Sequence, residues 1–76
     1  MKELVSFIAT SLVDDREAVQ VNEVERDDAT VMELRVAKDD LGKVIGKQGR
    51  TARAIRSLLS ASAAKLNRKV RLEILD

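Results

Sequence analysis

Two glycines three residues apart, Gly46 and Gly49, break the longest stretch of helical pattern in this 76-residue chain. Before them, residues 41–45 read as a very short helix, with Asp39-Asp40 placed to cap its start. Gly46-Lys47-Gln48-Gly49 reads as a tight turn, because glycine reaches backbone angles closed to other residues. After it, residues 50–66 read as a long helix. Ile55, Leu59, Ser62 and Leu66 share one face, flanked by Ala52, Leu58 and Ala63, with Arg50, Arg53 and Arg56 on the opposite side.

The remaining segments supply a surface for these helices. Residues 2–13 place Leu4, Val5, Ile8 and Leu12 on one side at helical spacing, and Asp14-Asp15 ends that pattern. Residues 18–25 read as a strand with Val19 and Val21 on one face; Val24 falls out of register, which points to a bulge or an early end. Arg26-Asp27-Asp28 reads as a turn. Residues 30–36 alternate, with Met32, Leu34 and Val36 on one face and Glu33 and Arg35 on the other. Asn67-Arg68 is a connector, and residues 69–75 form a last strand with Val70, Leu72 and Ile74 inward and Lys69, Arg71 and Glu73 outward. The expected order is α-β-β-α-α-β. It implies an α+β fold with three strands in one sheet and three helices packed on one face, in a single domain over residues 1–76.

Composition excludes several classes of function. There is no Cys and no His, so no disulfide, Cys-based metal site or His-activated serine is expected, and Ser57, Ser60 and Ser62 have no base beside them. The acidic residues fall mostly in the first half, away from the glycine turn. We therefore expect no catalytic site, no metal and no cofactor. The apolar residues, 45% of the chain, come in short runs broken by charges, too short to span a bilayer. Residues 1–5 do not resemble a signal peptide, so the cytoplasm is the expected compartment.

The net charge of +1 conceals a strong asymmetry. Residues 1–40 carry 5 basic and 11 acidic side chains, a net of −6; residues 41–76 carry 9 basic and 2 acidic, a net of +7. Five cations (Lys43, Lys47, Arg50, Arg53 and Arg56) fall between positions 43 and 56 with no anion among them. Such a distribution points to a polyanion, where the plainer reading is a solvated helix face. A Gly-x-x-Gly turn lets a bulky group approach the main chain. The following helix start adds unpaired N–H groups and partial positive charge, and the cations add full charge, which together suit a phosphate backbone. Val44 and Ile45 are expected to line a groove where bases lie flat.

At these residues the sequence resembles the KH family of RNA-binding domains. The run Gly42-Lys43-Val44-Ile45-Gly46-Lys47-Gln48-Gly49-Arg50-Thr51 is similar to that of the small stand-alone bacterial KH proteins of the KhpA group, and the whole order of elements resembles the type II KH arrangement. One departure is Ala52, where KH domains often carry a larger apolar residue; the branched residue here is Ile55. The resemblance implies binding of single-stranded RNA through the Gly-x-x-Gly loop. The expected RNA-binding residues are Val44, Ile45, Gly46, Lys47, Gln48, Gly49, Arg50, Thr51 and Arg53. Three other readings fit less well. A phosphate-binding P-loop needs four residues between its glycines and a Ser or Thr where Gln48 stands. A plain structural turn, with the cations merely solvating a helix, fits the residues, but the resemblance to the KH family weighs against it. A DNA-binding helix-turn-helix needs a longer first helix.

Phe7 is the only aromatic residue, and in the first helix its expected role is core packing or a helix contact. The chain therefore has no aromatic platform for stacking bases, and one copy should bind weakly. Ala54, Ser57, Ala61 and Ala64 form a small-residue stripe on the long helix, suited to close contact with a second subunit. The resemblance implies self-association and pairing with a larger KhpB (Jag)-type KH protein, in the role of an RNA chaperone or post-transcriptional regulator. The alternative is a protein–protein adaptor that uses the fold mainly for dimerisation.

Overall fold

A computed structural model of the chain describes residues 1–75. It contains α1 (Lys2–Leu12), β1 (Gln20–Arg26), β2 (Ala29–Arg35), α2 (Leu41–Ile45), α3 (Arg50–Lys65) and β3 (Val70–Leu75), with single 3₁₀ turns at Arg16–Ala18, Lys38–Asp40 and Lys47–Gly49. The order is the expected α-β-β-α-α-β, and the architecture is that of a type II KH fold.

The sheet runs β1-β2-β3, antiparallel between β1 and β2 and parallel between β2 and β3. Asp27 and Asp28 close the hairpin at φ 47° and 65°. This is the primed two-residue turn whose twist suits a hairpin, and aspartate tolerates the left-handed region better than most residues. β1 contains no bulge. Val24 pairs directly with Val31 in an unbroken register from Gln20↔Arg35 to Arg26↔Ala29. Val24 is out of step with Val21 because it belongs to the outer face of the sheet. There it packs beside Val31, which is only 2% exposed although it points away from the helices. The Arg26 side chain explains that burial: from β1 it reaches Glu33 on β2 (3.6 Å) and Glu73 on β3 (3.8 Å), so its stem crosses the middle strand.

The core lies on the other face. Val5 and Ala9 of α1, Val44 of α2, and Ile55 and Leu59 of α3 meet Val21, Met32, Leu34 and Leu72 of the sheet. The buried stripe of α3 is Ala52, Ile55, Leu59 and Ala63. Its small ends let the helix lie close to the sheet, so the helix is rotated away from the expected phase. Leu58 is 48% and Leu66 64% exposed, not part of the core. Leu66 also lies past the last regular residue of α3. Asn67, at φ 57°, ends the helix by donating its N–H to the Ala64 C=O (3.1 Å), while the Arg68 N–H reaches the Ala63 C=O (3.0 Å). Phe7 is 69% exposed, on the side of α1 opposite Val5 and Ala9, so it packs in no core. Among the described residues no helix is long and apolar enough to cross a membrane.

Candidate nucleic-acid interface

The glycine turn is built from three successive demands on the backbone. α2 ends where the Gly46 N–H donates to the Gly42 C=O (2.8 Å), and Gly46 then adopts φ 77°, ψ 168°. The Gly49 N–H closes a 3₁₀ turn on the Gly46 C=O (3.1 Å). Within that turn Gln48 sits at φ 58°, ψ 25° and Gly49 at φ 73°, ψ 14°. The two glycines serve different purposes. A Cβ at Gly46 would lie 2.2 Å from Thr51 Oγ1 and 2.8 Å from the Thr51 backbone nitrogen; a Cβ at Gly49 would meet nothing within 4 Å. Gly46 is therefore fixed by packing as well as by conformation, and Gly49 by conformation alone. Among the described residues no side chain caps the start of α3.

The expected RNA-binding residues divide by exposure. Lys47, Gln48, Arg50 and Arg53 are exposed, while Gly46, Gly49 and Thr51 are half-buried. Ile45 is 37% exposed and open to a ligand. Val44 is fully buried in the core, so it supports the turn from beneath and cannot line a groove. Its neighbour on the open surface is Gly42, three residues before Ile45 and also exposed, where an added Cβ would meet nothing within 4 Å. A glycine inside a helix was the sequence signal for that opening.

The five cations of the basic run are not equivalent. Lys47, Arg50 and Arg53 form no ion pair among the described residues. Lys43 is committed elsewhere: its Nζ pairs with Asp14, in the loop after α1, and with Asp40 Oδ1 at 3.2 Å. Hydrogen bonds to Asp14 and then Asp40 raise the Lys43 pKa. Asp40 does not cap α2 with its side chain; it turns back instead, and its Oδ2 accepts the Asp15 N–H at 2.9 Å. That backbone hydrogen bond leads the causes that lower the Asp40 pKa, with Lys43 adding to it. The carboxylate's stabilising effect is thus present above its ordinary pKa and is lost as pH falls through the lowered value.

Arg56 does not lie opposite the buried stripe with Arg50 and Arg53. It flanks the stripe, and its Nε makes a long hydrogen bond to the Leu72 C=O (3.4 Å). That carbonyl faces the open edge of β3, because the Thr30 N–H takes the Lys69 C=O and alternate residues of a parallel strand turn away from the partner.

A cleft of about 320 Å³ opens between the start of α1 and the end of α3, with Met1, Glu23, Leu66 and Arg68 in its lining. It lies at the opposite end of α3 from the glycine turn, roughly 24 Å away along a helix of this length. Its Arg68 is already held by Glu25 (3.0 Å) and Thr30 (2.9 Å). Of the five cations in the basic run, Lys47, Arg50 and Arg53, which form no ion pair among the described residues, flank the turn and not this cleft. Among the described residues no group of three or more acidic, His or Cys side chains is placed to hold a metal ion.

Helices on one face of a three-stranded sheet, joined by an exposed Gly-x-x-Gly turn, define a KH domain. A family model described as the KH domain of KhpA and KhpB matches residues 2–74. The chain is 57% identical over 74 residues to an RNA-binding protein KhpA of Borreliella burgdorferi, covering 97% of this chain and 90% of that one. It is 56% identical to that of Clostridium perfringens (99% and 100% covered) and 49% identical to that of Aquifex aeolicus (100% and 96% covered). No solved structure gave a significant match. The chain belongs to the KhpA/KhpB family of KH domains.

Proposed function

We propose that this chain binds single-stranded RNA across the surface formed by Gly42, Ile45 and the turn at residues 46–49, acting as an RNA chaperone or post-transcriptional regulator in the cytoplasm. The observation that carries the reading is the division of the basic run. The three cations around the glycine turn are unpaired among the described residues, while Lys43 and Arg56 are engaged within the fold. Lys47, Arg50 and Arg53 neutralise phosphates, the Gly49 backbone admits the chain closely, and Gly42 and Ile45 offer a flat apolar surface to a base. The relatives named as RNA-binding proteins support the same reading. An extended, unstacked strand suits this surface, since bases within a duplex are already stacked and turned inward.

Titration of a short single strand over a salt series tests the proposal. Three phosphate contacts give a log–log slope of roughly −2, at about −0.7 per neutralised phosphate. Arg53→Ala should make the slope shallower by about 0.7 for every RNA sequence alike, and Arg56→Ala should change it little. Duplex RNA should compete poorly. A larger loss from Arg56→Ala than from Arg53→Ala would place the strand on another face of α3.

The second element of the proposal is a homodimer through α3. Ala54, Ser57, Ala61 and Ala64 are all exposed, and Leu58 stands among them at 48% exposure. Small residues allow close helix approach, with Leu58 as the apolar anchor, and two weak sites gain avidity when linked. We expect Leu58→Glu to convert dimer to monomer in sedimentation without loss of fold. It should weaken binding to an RNA long enough for two sites by about tenfold or more, and leave short-RNA affinity unchanged. A variant that still dimerises would move the interface elsewhere. A protein in which this face serves a larger KhpB (Jag)-type partner would instead be monomeric alone and pair when that partner is added. An adaptor would keep the dimer and show no RNA affinity.

A further inference from the structure

We infer that Lys43, although it belongs to the basic run, is a positioning residue: with Asp40 and Asp14 it fixes α2, and through α2 the glycine turn, and takes no phosphate itself. The inference rests on the proposed RNA site but concerns how that site is held.

α2 is five residues long, and a helix so short has no orientation of its own in water. Two anchors supply one. The first is Val44, fully buried beneath it. The second is the cluster around Asp40, whose side chain is only 4% exposed. One oxygen of Asp40 receives the Asp15 N–H and the other the Lys43 ammonium, and Lys43 also pairs with Asp14. The cluster therefore ties the first turn of α2 to the loop that follows α1, a segment more than twenty residues away in the chain. From there the connection to the turn is short, since the Gly42 C=O holds the Gly46 N–H at 2.8 Å.

Charge gives the same answer. Lys43 faces two carboxylates, so the cluster as a whole is negative and does not attract phosphate. A strand that drew Lys43 away would leave the Asp40 carboxylate, nearly inaccessible to water, without its cation. Its contribution to RNA binding is thus geometric.

The test compares Lys43→Met, Lys43→Arg and Asp14→Asn, each checked for native circular dichroism, by RNA affinity, by salt slope and by the amide chemical shifts of Gly46 and Gly49. Lys43→Met should weaken binding about tenfold with the salt slope unchanged, and should move the Gly46 amide. Lys43→Arg keeps a cation between the carboxylates and should bind within about twofold of the native protein. A slope shallower by about 0.7 in Lys43→Met would show that Lys43 contacts a phosphate, and an unchanged affinity would show that the cluster positions nothing; either overturns the inference. Asp14, 86% exposed, decides the matter if Lys43→Met does not fold. Removing an anion near an RNA site strengthens binding by simple electrostatics, so weaker binding by Asp14→Asn supports positioning, and tighter binding refutes it. If the native protein bound no RNA, the proposed function would fail, while the glycine amide shifts would still report whether the cluster holds the turn.

Discussion

Lys47→Asp combined with Gln48→Asp is expected to abolish RNA binding and to leave the fold intact. Both side chains are exposed and neither packs in the core. Gln48 already occupies the left-handed region at φ 58°, which aspartate enters more readily than glutamine, so the second substitution does not strain the turn. Gly46 and Gly49 remain to set the backbone. The electrostatic change is large: the three unpaired cations around the turn are reduced to two, and two anions are placed on the proposed path of the strand. Like charges brought together at an interface cost several kcal/mol, and a loss of about 3 kcal/mol is already more than a hundredfold in affinity. The checks are fluorescence anisotropy with a labelled single strand and thermal unfolding. Native affinity in a natively folded variant would refute the assignment of the turn as the RNA site.

Much of this fold was legible in the sequence because its elements announce themselves locally. The glycines mark the turn between α2 and α3, the alternation of Met32, Leu34 and Val36 marks β2, and Val70, Leu72 and Ile74 mark β3. Local pattern failed where packing across the domain decides. Leu58 and Leu66 are large and apolar at near-helical spacing with Ile55 and Leu59, yet the sheet selects the side of α3 that carries Ala52 and Ala63, since small residues permit closer approach. Val24 broke the alternation of β1 only if the outer face was taken to be wholly polar; Val31 on the neighbouring strand gives it a partner there. The site was legible as a motif but not as a division of labour. Lys43 and Arg56 are indistinguishable in sequence from Lys47, Arg50 and Arg53. Their partners, Asp14 and Asp40 for one and the Leu72 carbonyl for the other, are brought to them only by the fold. Val44 and Ile45 are adjacent apolar residues in the sequence, but on a helix adjacent residues point in directions about 100° apart, and here one faces the core and the other solvent.

Gly46→Ala is expected to be far more disruptive than Gly49→Ala, although both glycines have positive φ. Gly46, at φ 77°, ψ 168°, lies in a region that only glycine populates, and confining another residue there costs of order 1–3 kcal/mol. Packing adds to this. The new Cβ would lie 2.2 Å from Thr51 Oγ1, 2.7 Å from Thr51 Cβ and 2.8 Å from the Thr51 nitrogen. Rotating the Thr51 side chain relieves the first of these contacts, but the other two are fixed by the backbone of α3, and forcing an extra methyl group against a packed backbone costs about 1–3 kcal/mol more. At 4–8 °C per kcal/mol for a domain of this size, the melting temperature should fall by roughly 15 °C or more. Gly49→Ala faces open space and only the ordinary left-handed penalty of about 1–2 kcal/mol. Adding Thr51→Ala to Gly46→Ala should recover little, because Cβ and the backbone nitrogen remain in place. If Gly46→Ala avoids the full cost, it does so by unwinding the turn, and RNA binding is then lost while the core survives. Thermal unfolding and RNA titration together distinguish the outcomes, and a Gly46→Ala protein with native melting temperature and native affinity would show that neither the conformation nor the Thr51 contact constrains this position.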